Sequence, residues 1–195
     1  MRIYETQRMI NVDHFDGPAA LAVVFRTVQY LSILLNDHFY RQIPVDGSLL
    51  RECLQYIQSS LITFKGRLQP GLPECFRIGI MVLLARTFRL PGLYEHPCCA
   101  DMSLQLQFSY AAAKAATPDL PPALEIWLLF VCLVSADSPE GDHLRAFSAS
   151  KNAADLSWAE VRRHLKQVVW MDTFHDDLGK KRHEALLAHV ILSQP

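Results

Sequence analysis

Apolar residues recur at helical intervals along this chain. Leu21, Val24, Phe25, Val28, Leu31 and Leu35 lie three or four positions apart, so they share one face of a helix that Asp16-Gly17-Pro18 can open. Pro44 and Gly47 mark a turn. The same spacing returns in Leu50, Cys53, Leu54, Ile57, Leu61 and Phe64, with Gln55, Gln58 and Ser59 on the wet side. Pro70-Gly71-Leu72-Pro73 breaks the chain before a segment, Glu74 to Phe88, whose apolar residues nearly encircle a helix. Such a helix is comfortable only when central. Gly79 inside it costs about 1 kcal/mol of helix propensity relative to alanine, which implies a close neighbouring element.

Leu90 to Ala100, with Pro91, Gly92 and Pro97, reads as a loop. Beyond it Leu104, Leu106, Phe108 and Tyr110 alternate with polar residues as a strand would, yet the AAAKAA run that follows prefers helix. The reading adopted is a helix from about Met102 to Ala116. Pro118, Pro121 and Pro122 reset the chain, and the next helix, bearing Trp127, is apolar on every side after Glu125. Ser157 and Glu160 have capping-box spacing, with Leu156 and Val161 placed as a hydrophobic staple. Trp158, Val161, Leu165, Val168 and Val169 then form one stripe, with Arg162, Arg163 and Lys166 expected to face away. A last helix is expected from about Gly179 to Leu192. The expected fold is all-α: one domain over residues 1–195 made of about seven or eight packed helices. No fixed-period repeat suggests a solenoid.

Composition narrows the classes. At 195 residues the chain suits one domain, long enough to bury roughly 70% of its unfolded surface. Half the residues are hydrophobic, and a formal net charge of −1 gives no field that would gather phosphate backbones. Five irregularly spaced cysteines, Cys53, Cys75, Cys98, Cys99 and Cys132, do not form an extracellular disulfide framework, so a reducing compartment is expected. The amino terminus lacks an apolar stretch of secretory length. The run from Leu124 to Val134 is well short of the ~20 residues that cross a bilayer, and a membrane partner is not expected.

Several residues invite chemistry. His183 and His189 bracket Glu184 in HEALLAH, but six residues place two imidazoles on roughly opposite sides of a helix, where zinc peptidases need four. These histidines are expected to face solvent. His175-Asp176-Asp177 has acid–base character, though no nucleophile elbow accompanies it, and the aspartates are expected just ahead of the final helix, facing its positive dipole end. Gly179-Lys180-Lys181 lacks the upstream glycine and the hydroxyl of a phosphate loop. Arg162, Arg163, Lys166, Lys180, Lys181 and Arg182 read as a solvated face, and Cys98-Cys99 as a plain loop pair. Arg77, among Phe76, Ile78 and Ile80, must be paired if buried, with Glu74, Glu52 or Glu125 as partners. Trp127, Trp158 and Trp170 are expected to be core and helix-seam residues. No catalytic, cofactor or metal-ligating set is assigned.

Taken together, Pro122, Trp127 and Phe130, then Ser157, Trp158, Val161 and Leu165, then Trp170, Asp172, His175 and Asp176 resemble the carboxy-terminal part of the regulatory domain of fungal binuclear zinc-cluster transcription factors. Glu74 and Arg77 match that family's Glu-x-x-Arg helix, and the resemblance spans most of residues 45–190. The six closely spaced cysteines of the family's DNA-reading module have no counterpart, since none of the five here forms a Cys-x-x-Cys pair. The resemblance therefore implies a regulatory protein that does not read DNA itself. It would act in the nucleus, with the cytoplasm also open, through contacts with transcription-regulatory proteins or a full-length relative, in a setting such as control of secondary-metabolite genes. The family-motif residues Glu74, Arg77, Trp127, Ser157, Trp158, Trp170, Asp172 and His175 are expected to be structural. Two alternatives stay open: a helical module that binds a small apolar effector, and a fragment of a longer transcription factor.

Overall fold

The structure, a computed structural model, describes residues 18–88, 96–135 and 156–192. Among these residues every regular element is a helix: α1 (Ala19–Arg41), α2 (Gly47–Thr63), α3 (Leu72–Phe88), α4 (His96–Ala116), α5 (Pro122–Ser135), α6 (Trp158–Val168) and α7 (Asp172–Leu192). The chain is an all-α domain. α5 is its axis, with every residue from Ala123 to Ser135 buried, in contact with α3, α4, α6 and α7. α3 links that axis to α1 and α2. Its buried run from Cys75 to Ala85 includes Arg77 and Gly79, as an apolar circumference requires.

Local signals set most boundaries. Asp46 caps α2 by accepting from the Ser48 and Leu49 amides, satisfying donors the first turn would leave orphaned. α1 ends at Gln42, a left-handed residue at φ 56°, whose amide and that of Ile43 return to the Phe39 and His38 carbonyls. The capping box of α6 forms in both directions: the Glu160 amide donates to Ser157 Oγ, and the Ser157 amide donates to Glu160 Oε2 at 2.9 Å. Leu156 and Val161 join the core on either side of it.

Two glycines mark the tightest helix contacts. A Cβ on Gly79 would lie 3.0 Å from Cη2 of Trp127, so α3 lies flat on the indole of α5. A Cβ on Gly179 would lie 2.7 Å from Cη2 of Trp158 and 2.9 Å from Cζ2 of Trp170. Two rigid rings cannot yield as a flexible side chain would. Gly179→Ala is therefore expected to destabilise the domain by about 1–3 kcal/mol, reversing the sign of the ~1 kcal/mol that helix propensity alone would add. Urea unfolding measures this, and a more stable variant would contradict the contact.

The structure revises two boundaries. α4 begins at His96, so residues 96–100, including Cys98-Cys99, are helical rather than loop. Pro97 is tolerated because a first-turn amide has no intrahelical partner. Residues 90–95 of the expected loop lie outside the described residues, as do Asp16 and Gly17. The alternating pattern after Asp101 resolves as helix: Met102, Leu106 and Ala113 turn inward while Leu104 and Phe108 stay exposed. α7 begins at Asp172, not near Gly179, so Asp176 and Asp177 lie within the helix and Asp172 is the acidic residue of its first turn. Gly179 continues the helix because the two indoles occupy the space its side chain would need.

Candidate functional site

The polar groups of the interior converge on the joint between α6 and α7. Val169 leaves α6 in an extended conformation (φ −151°, ψ 116°), and Val169, Trp170 and Met171 are all buried, so their backbone groups need partners other than water. Side chains from three helices supply them. Trp127 Nε1 on α5 donates to the Val169 carbonyl at 2.7 Å. Asn36 on α1 donates through Nδ2 to the Trp170 carbonyl at 2.9 Å and accepts at Oδ1 from the Asp172 amide at 2.8 Å. The Met171 amide donates to His175 Nδ1 at 3.2 Å.

Around this joint lies a charged cluster. Asp172 Oδ2 accepts from Tyr40 at 2.5 Å, from Lys166 Nζ at 2.6 Å and from Arg162 Nη2 at 2.8 Å. Arg162 also donates through Nε to Asp176 Oδ2 at 2.7 Å, while Asp176 Oδ1 accepts from Trp170 Nε1 at 2.8 Å. The Asp172 side chain is 2% exposed, and its Oδ1 is a buried oxygen with no hydrogen-bond partner among the described residues. Burial and the hydrogen bond to Asp172 raise the Tyr40 phenol. Burial works against the Arg162 charge, but Asp172 and Asp176 outweigh it and raise its pKa. Burial raises Asp176 despite the opposing Trp170 bond.

His175 ties the joint to α3. The Thr87 hydroxyl donates to the Leu83 carbonyl at 2.7 Å, so at its 2.7 Å contact with His175 the imidazole Nε2–H is the donor. With Nδ1 accepting from Met171, both nitrogens of the neutral ring are used. Burial lowers the pKa of His175 from 6.5 to about 4, against a smaller opposing pull from Asp172. The ring is a hydrogen-bonded strut, and with its proton already on Nε2 it is not placed to take one from Thr87.

That depressed value makes stability depend on pH. Because the folded pKa lies below the unfolded value, the unfolded chain binds the proton more readily, so the contribution is complete above about pH 6.5 and is lost as pH falls towards 4. The expected loss is roughly 3 kcal/mol across that window. His183, also lowered by burial, acts in the same sense, whereas the raised Asp176 opposes it at the acid end. Urea unfolding at stepped pH should show a flatter dependence in His175→Gln. Equal slopes in the two proteins would refute the assignment.

The motif residues take distinct places in the packing. Glu74 and Arg77 form a two-toothed pair, Nε to Oε2 and Nη2 to Oε1, each at 2.7 Å, while Arg77 Nη1 reaches Met81 Sδ at 3.1 Å. Of the three partners the sequence allowed, Glu74 is the one used. Glu125 instead faces Lys114 Nζ at 2.9 Å and Tyr110 at 3.3 Å. Trp158 and Trp170 meet edge to face at 6.4 Å, with Phe130 and His183 against them. Trp127 packs on Phe76 and Gly79.

Two expectations about polar faces are overturned. His183 is buried, not solvent-facing, stacked at 6.3 Å on Phe130 and donating from Nε2 to the Leu156 carbonyl at 3.0 Å. Arg162 and Lys166 do not belong to a solvated basic face, since both point into the Asp172 and Asp176 carboxylates; Arg163, Lys180 and Lys181 remain exposed. Among the described residues no cluster of histidine, cysteine and carboxylate side chains could hold a metal ion. The side chain of His189 lies outside the described residues. Cys53, Cys75 and Cys132 are free thiols, and burial pushes Cys132 up to about 12, far from a reactive thiolate.

Asn36, Tyr40 and Thr87 are the site residues that sequence reasoning missed. A signal existed for the first: Gln29, Ser32 and Asn36 interrupt the buried stripe of α1 at helical spacing, and a polar residue on such a face needs a designated partner. Between α3 and α5, Gly79 lies directly against Trp127. A half-open groove of about 250 Å³ lies instead beside α1, lined by Tyr30, Ile33, Leu34, Asp37, Tyr40 and Lys166. Comparisons with protein-family models, characterised proteins and solved structures give no match to this chain.

Proposed function

We propose that this protein is a transcription-regulatory domain similar to the regulatory half of fungal binuclear zinc-cluster factors, acting through protein contacts rather than by reading DNA. The observation that carries this reading is the joint at residues 169–172. Residues that bear the resemblance from separated parts of the sequence meet there: Trp127, Trp170, His175 and Asp176 are bonded to one another or to the joint's backbone, and Arg162 bridges Asp172 to Asp176. Residues committed to one another in this way form a scaffold. Its histidine is committed to structural hydrogen bonds, and burial holds its Cys132 thiol protonated. The action then falls to the surface, where Tyr30, Tyr56, Leu49, Leu104, Phe108 and Phe174 are exposed. The setting we propose is the nucleus, with other transcription-regulatory proteins or a full-length relative as partners, and secondary-metabolite genes as a class of target.

Tethering the full chain to an unrelated DNA-binding module at a reporter promoter tests this. The expected result is a change in reporter output in either direction, together with recovery of transcription proteins by proximity labelling. Unchanged output at both an active and a silent promoter, with no transcription protein labelled, would remove the reading.

A further inference from the structure

α1 carries a second pattern beside the stripe it turns to the core. Its inner face is buried against α2, α3 and α7. On the outer face Val23, Arg26, Tyr30, Ile33, Asp37 and Tyr40 follow one another at steps of three, four, three, four and three. This is the spacing of a two-helix seam. Val23, Tyr30, Ile33 and Tyr40 are all exposed, Tyr30 at 70%. The order of steps reads the same from either end, and so does the chemistry: the cation Arg26 and the anion Asp37 lie equally far from the centre, which falls midway between Tyr30 and Ile33.

We propose that two copies of this chain associate through an antiparallel α1–α1 seam about a two-fold axis at that centre. The rotation sets Tyr30 against the partner's Ile33, Arg26 against the partner's Asp37, and Val23 against the partner's Tyr40, and each pair occurs twice, as an isologous interface requires. A parallel arrangement would stack Arg26 on the partner's Arg26 and Asp37 on the partner's Asp37, so charge selects the antiparallel one. The 250 Å³ groove between Ile33 and Tyr40 lies where the partner's Arg26 and Val23 descend. Asp37 already receives Arg41 Nε on Oδ1 at 2.8 Å, and a carboxylate has acceptor sites for a second cation. The Lys166 charge on the groove wall is matched by Asp172. α1 is also long and apolar enough to cross a bilayer, but its outer face carries two charges that hydrocarbon would penalise.

Sedimentation of the full chain at roughly 50 µM is expected to give twice the 22.1 kDa of one chain. Arg26→Glu turns two ion pairs into two like-charge pairs, and Asp37→Arg does the same from the other side. Each alone is expected to weaken association on the order of 100-fold, with helicity and melting temperature close to those of the parent. Mixing the two single variants should restore a dimer containing one of each, since their altered charges then face opposite signs. Three results would overturn the proposal: a monomeric parent, variants that dimerise unchanged, or a mixture that does not associate. Binding of a monomeric parent to vesicles through α1 would overturn it in favour of a membrane surface.

Discussion

Trp127→Ala is expected to destabilise the domain by about 3–5 kcal/mol, among the largest effects of any single substitution in this fold. Its side chain is fully buried at the centre of α5, so truncation opens a cavity that its surroundings cannot close. Phe76 lies 6.0 Å away on α3, and the backbone of Gly79 has no side chain to swing into the void. The substitution also leaves the Val169 carbonyl without its donor inside the joint. Trp127→Phe separates these contributions, because it keeps most of the ring and removes only the donor. Its expected cost is about 1–3 kcal/mol. Chemical denaturation of both variants measures the difference, and a loss below about 1 kcal/mol for Trp127→Ala would mean the indole is not the keystone described.

Glu74→Ala should rank beside it, at about 3–5 kcal/mol. Arg77 is 4% exposed, and Glu74 is the carboxylate that compensates its charge through both oxygens. A guanidinium left without it is desolvated and uncompensated, and Met81 sulfur is a weak acceptor. The decisive comparison is the double variant Glu74→Ala/Arg77→Leu. An apolar side chain in place of a buried ion pair is commonly neutral or stabilising, so most of the single-variant loss should return. If the double variant is no more stable than Glu74→Ala, the pair's geometry, not the uncompensated charge, governs the site.

Much of the fold was legible because it depends on local chemistry. The stripes of α1 and α2, the all-round apolar character of α3 and α5, and the Ser157/Glu160 box are each encoded within a few consecutive residues, and each was found where it was expected. The errors lie where a distant group supplies the reason. His175-Asp176-Asp177 has the composition of a helix start, and nothing nearby in sequence reveals that Asp172 already fills that role with Tyr40, Lys166 and Arg162 around it. Gly179 reads as a boundary until the rings of Trp158 and Trp170 are placed over it. Arg162 and Lys166 occupy the polar side of a well-formed amphipathic helix, and only α7 passing beneath them turns that side into an interface.

The sequence by itself determined the helical class, the central place of the Glu74–Phe88 and Trp127 helices and the need for a partner at Arg77, since periodicity, caps and charge are properties of neighbouring residues. Tertiary structure alone decided where α7 begins, that His175 and His183 are buried, and that Asn36, Tyr40 and Thr87 join the site. The reason is physical: a buried polar group is satisfied by whichever group is nearest in space, and the bond from Asn36 to the Trp170 carbonyl crosses 134 residues of chain that no local pattern spans.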